Sequence, residues 1–69
     1  MINPKVIGQR LVSLRNNLNK TQKEVAEACK ISVSALAMYE IGERIPRDEI
    51  KIRLANYYKK SIVSIFFKK

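Results

Sequence analysis

Histidine and tryptophan are absent from this chain, and cysteine occurs once, at Cys29. Without histidine the commonest general base and the commonest partner for a zinc-binding thiolate are missing, and a single cysteine closes no internal disulfide. The six acidic residues fall where helix caps and helix surfaces are expected. No nucleophile–base pair or metal cluster can be assembled from them, so no enzyme activity, metal or cofactor is expected. Cys29 reads as a small core residue, because its spacing from Val25 already explains it. Glycine and proline occur twice each, which leaves no flexible linker, and 46% apolar residues exclude a disordered tail. There is no run of about 18 apolar residues, and polar residues interrupt the stretch from Ile2 to Leu14 too often for a signal peptide. A cytoplasmic protein is expected.

Acid is scarce beside base. Six Asp and Glu stand against fourteen Lys and Arg, a net charge of +8 on 69 residues. A field of that sign on so small a surface favours a polyanionic partner, although a merely soluble charged surface has the same composition. The length allows one domain, spanning residues 1–69, and such a chain buries only about 60% of its unfolded surface. A modest stability margin follows.

What the chain does have is helix punctuation. Asn3-Pro4 pairs a cap with a proline at the first helical position, and Ile7, Leu11, Leu14 and Leu18 then keep the 3.6-residue period to about Asn17, with Gly8 weakening the helix only slightly. Asn19 or Lys20 is suited to a left-handed turn before the next helix. Thr21 and Glu24 form a capping box, so a helix begins at Gln22, with Val25, Ala26 and Cys29 on its buried stripe. Ser32 caps another short helix carrying Leu36 and Tyr39 on one face. Only Lys30 and Ile31 lie between the two, and Ile31 plugs the angle. Two short helices joined this tightly form a helix-turn-helix, whose second helix enters a DNA major groove.

Beyond Gly42, a loop to Pro46 leads into a helix starting near Arg47, with Asp48 and Glu49 in its first turn, Ile50, Leu54 and Tyr57 or Tyr58 on its apolar face, and Lys59 and Lys60 at its end. Ser61 caps a final short helix in which Ile62, Ile65 and Phe66 suffice to seal the core. Val63 and Phe67 are then left outward, unless they lie against the first or fourth helix. No strand pattern is present, and the expected fold class is all-α with five helices.

The stretch TQKEVAEACKISVSALAMYEIG resembles the Cro/C1-type helix-turn-helix family of phage and bacterial regulators. The match rests on Thr21-Gln22, Val25-Ala26, Ile31-Ser32, Leu36, Tyr39-Glu40-x-Gly42 and the Gly-x-x-x-Pro spacing to Pro46, and covers about residues 5–66. Lys30 departs from the glycine usual at the turn. In the left-handed region a non-glycine residue there costs roughly 1 kcal/mol.

The resemblance implies a compact, lambda-repressor-like domain that binds double-stranded DNA, most simply as a repressor dimer on a palindromic operator. By position in the family pattern, Val33, Ser34, Ala37 and Met38 are base contacts, with helix packing as the alternative for Met38. Thr21, Gln22, Lys23, Arg44 and Arg47 are backbone contacts, the two arginines reaching phosphate or the minor groove from the loop after the second helix of the motif, with a solvated surface charge as the alternative for each. Arg15 and Glu40 form a structural ion pair. Ile45, Pro46, Val63 and Phe67 are dimer contacts. Apolar base readers suit thymine methyls and leave direct hydrogen-bond readout thin. An antitoxin or recombination accessory protein using the same fold to bind a protein is the competing expectation. RNA binding is disfavoured, because the aromatic residues fall on core faces.

Overall fold

The computed structural model describes residues 3–68, and most of its helices begin or end on a residue that dictates the boundary. Helix α1 spans Pro4–Asn17, where Asn3 Oδ1 accepts the Lys5 N–H at 2.8 Å and proline takes the first position. Asn19 adopts a left-handed conformation (φ 55°), turning the chain toward α2. Helix α2 spans Gln22–Cys29 and opens on the full capping box: the Glu24 N–H donates to Thr21 Oγ1 at 3.1 Å and the Thr21 N–H to Glu24 Oε1 at 2.9 Å. Lys30 is left-handed (φ 59°), and the Ile31 N–H returns to the Ala26 carbonyl at 3.0 Å, closing the turn.

Helix α3 spans Val33–Ile41, capped by Ser32, whose Oγ accepts the Ala35 N–H at 3.0 Å, and closed by Gly42 at φ 80°. Helix α4 spans Asp48–Tyr58, with Arg47 extended just before it and acidic residues in its first turn. It starts one residue later than the sequence pattern suggests.

Two other features differ from expectation. Leu18 is 49% exposed, because α1 stops at Asn17 and Leu18 becomes its cap, so the fourth place on the apolar stripe is never wound into the core. The last element, α5 at Val63–Phe67, is a single π turn rather than an α-helix, with the Lys68 N–H reaching the Val63 carbonyl at 2.7 Å. Ser61 still caps it, its Oγ accepting the Ser64 N–H at 3.1 Å.

The core collects Ile7 and Leu11 from α1, Val25, Ala26 and Cys29 from α2, Leu36 and Tyr39 from α3, Ile50, Leu54, Ala55 and Tyr58 from α4, and Ile65 and Phe66 from α5. Ile31 packs against it from the turn. Helix α1 lies closest to α3, while α2 packs on both α3 and α4. Gly8 makes the first of these approaches possible: a Cβ there would sit 2.8 Å from the Tyr39 carbonyl oxygen and closer still to that of Glu40. Three basic side chains seal helix ends. Arg10 Nη1 donates to the Ser64 and Ile65 carbonyls (3.0 and 3.2 Å), Arg53 Nη1 to Cys29 and Lys30 (3.4 and 3.5 Å), and Lys5 Nζ to Ile41 (3.4 Å).

Candidate nucleic-acid interface

Helix α3 has two faces of opposite character. Leu36, Tyr39 and Glu40 turn inward, whereas Val33, Ser34, Ala37, Met38 and Ile41 recur at the spacing of one outward face. Val33 and Met38 are 42% and 38% exposed and Ala37 is half-buried. Ile41, 57% exposed, extends the same face. It went unnoticed in the sequence, although its position eight residues after Val33 was the available signal.

The inward face is fastened by charge. Glu40, whose side chain is only 2% exposed, accepts Arg15 Nε at 2.8 Å and Arg15 Nη2 at 3.0 Å as a two-pronged pair, and Gln22 Nε2 at 2.9 Å. Arg15 Nη1 also donates to the Lys20 carbonyl at 3.0 Å. The carboxylate thus ties α3 to α1 and to the start of α2, and Arg15 extends the tie to the α1–α2 turn. The hydrogen bond from Arg15 to Glu40 raises the guanidinium pKa above its ordinary value despite partial desolvation.

Beside this network lies the N-terminus of α2. The capping box uses the Thr21 and Glu24 N–H groups, and the N–H groups of Gln22 and Lys23 find no acceptor among the described residues. They join the positive end of the helix dipole to the exposed Lys23 side chain, a combination suited to a phosphate. One amide hydrogen of Gln22 is already committed to Glu40, which leaves its other hydrogen and its backbone N–H for an outside acceptor. Arg44 and Arg47 are exposed on the loop after α3.

A helix-turn-helix family profile matches residues 11–65, and that span contains α2, the turn and α3. The chain belongs to the Cro/C1-type helix-turn-helix family. Over 56 residues, 81% of its length, this helix-turn-helix chain is 36% identical to the cryptic phage CTXphi transcriptional repressor RstR of Vibrio cholerae, and it spans half the length of that relative. Its fold is similar to that of the clp gene regulator ClgR from C. glutamicum, with a TM-score of 0.81 at 23% identity over 94% of this chain and 84% of that one.

The residues expected to join two copies of the helix-turn-helix domain divide. Ile45 is 38% exposed, Val63 55% and Phe67 52%, so neither of the last two is folded away against α1 or α4, although the Lys51 ammonium sits 4.8 Å from the centre of the Phe67 ring. Pro46 does not belong with them. Its side chain is fully buried within the domain and so offers nothing to a second copy. Tight turns carrying proline are usually surface features, and nothing local distinguishes this one as buried. Cys29 is likewise inward, its thiol donating to the Arg53 carbonyl at 3.9 Å, and desolvation raises its pKa. Among the described residues no group of side chains could hold a metal ion, and no helix is long and apolar enough to cross a membrane.

Proposed function

We propose that this chain is a sequence-specific double-stranded DNA-binding transcriptional regulator, a repressor acting as a dimer on a palindromic operator. The observation that carries the reading is the outward face of α3, fixed from behind by the Arg15–Glu40–Gln22 network and flanked by free N–H groups at the start of α2. A helix braced in this way presents side chains to the major groove without loosening its own packing. The net charge of +8 and the likeness to a phage repressor support the same conclusion.

Val33, Ser34, Ala37 and Met38 meet base edges. Thr21, Gln22, Lys23, Arg44 and Arg47 hold the phosphates that set register. A single domain reads about one half-site, so two copies placed about 34 Å apart cover an operator. Ile45, Val63 and Phe67 supply the contact between them, and that contact forms chiefly on DNA.

Selection from a random duplex pool tests this. A single enriched palindrome, bound with two copies per duplex, is the expected result. Binding that is equal for all sequences overturns it. The exposed Val63 and Phe67 favour one competing reading, an antitoxin or recombination accessory protein that docks a protein on this end. Stoichiometric capture of a partner that masks Phe67, with no enriched DNA sequence, is the outcome that favours it.

A further inference from the structure

We infer that α3 recognises thymine C5-methyl groups and that these carry most of its direct base discrimination. The inference rests on the DNA-binding reading above and names what that site selects. Each of the other bases asks for a polar partner in the major groove: guanine for arginine or lysine at O6 and N7, adenine for asparagine or glutamine at N6 and N7, cytosine for a carboxylate at N4. Helix α3 offers none of these outward. Its one carboxylate, Glu40, is buried and already accepts from Arg15 and Gln22. Its one phenol, Tyr39, is buried in the core. The hydroxyl just before it, on Ser32, is occupied with the Ala35 N–H.

What remains outward is Val33, Ala37, Met38 and Ile41, with the Ser34 hydroxyl as the single hydrogen-bonding group on the face. Against such a surface a base edge rich in donors and acceptors loses its water and gains no partner, which is costly. A thymine methyl loses only unfavourable contact with water. Val33 and Met38, both exposed and about five residues apart, are placed to cover different methyls, and Met38, being unbranched, adapts to the geometry it meets.

The test begins from the duplex enriched in the selection described above. Each thymine in it is replaced singly by deoxyuridine, which keeps every hydrogen-bonding atom and removes only the methyl. Burial of one methyl predicts about a fourfold loss of affinity at each contacted position, and roughly 15-fold for two, with no loss at thymines outside the half-sites. Replacing a contacted T·A pair by C·G weakens binding, and methylating that cytosine at C5 recovers about fourfold. Val33→Ala and Met38→Ala each abolish the deoxyuridine effect at one position of each half-site and leave it at the others; melting temperatures confirm that both variants stay folded.

An enriched duplex whose affinity ignores every deoxyuridine, or an enriched half-site without thymine, overturns the inference while DNA binding stands. A pool that yields no enriched sequence removes the function and this inference together.

Discussion

The missing side chain at position 8 decides how closely α1 approaches α3. Glycine inside a helix ordinarily costs about 1 kcal/mol relative to alanine, so an isolated view of α1 favours Gly8→Ala. The Tyr39 and Glu40 carbonyls reverse that sign, because the added carbon would lie 2.8 Å or less from both oxygens and the backbone must part to admit it. Gly8→Ala is expected to lose at least 2 kcal/mol in urea unfolding, and a gain would show that α1 slides without cost. Glu40 is the second position at which one residue holds several elements. Glu40→Ala strands the Arg15 guanidinium and is expected to cost about 3 kcal/mol, less than the full penalty of a deeply buried pair because Arg15 keeps 16% exposure. Unchanged melting with an altered operator preference would contradict that assignment. The pair was readable from the family pattern, but the enclosing partners were not: Gln22 and the Lys20 carbonyl reach Glu40 and Arg15 only through the fold.

At the level of elements, the boundaries most legible in the sequence are those set by local chemistry. Asn3-Pro4, the Thr21/Glu24 box, Ser32 and Gly42 each act within three residues of themselves, so they are visible before any packing exists. Leu18, Pro46 and the left-handed Lys59 escape such a reading, since where a helix stops and which loop folds inward depend on the neighbouring elements. Lys30 lies between the two cases: the family resemblance, with glycine usual at this place, points to a left-handed turn, and Arg53, which caps the carbonyls around it, is not visible in the sequence. Relieving the turn with Lys30→Gly should add up to about 1 kcal/mol, raising the melting temperature by about 4–8 °C in a domain of this size. No rise would mean that the extra freedom of glycine in the unfolded chain cancels the relief. The start of α2 is pH-sensitive. Thr21, through its backbone N–H and then its hydroxyl, lowers the pKa of Glu24 below the ordinary glutamate value of about 4.3. A depressed carboxylate contributes stability that is complete above the unfolded value and disappears as pH falls through the folded one. Wild type should therefore be more stable than Glu24→Gln at pH 6–7, and the gap should close below about pH 4; urea midpoints from pH 7 to 3 measure it, and a constant gap would contradict the assignment.

For the molecule as a whole, the charge of +8 acts with opposite signs on folding and on binding. Salt screens the repulsion among the cations and so favours the folded domain, while it removes the entropy gained when phosphate counterions are released. In the proposed interface Lys23, Arg44 and Arg47, all exposed, supply about three phosphate contacts per copy and a slope of about −2.7. Operator affinity per copy should fall roughly 40-fold from 50 to 200 mM salt, while the melting temperature of the free protein holds or rises. A flat affinity would remove the cations from the interface. The division of α3 into two faces also bears on how such a domain diversifies. Leu36, Tyr39 and Glu40 carry its main obligations to the fold, and the exposed Val33, Ser34, Met38 and Ile41 carry far fewer, so a lineage can exchange the second set while keeping the first intact. New addresses on DNA then become accessible by single steps that leave the scaffold in place.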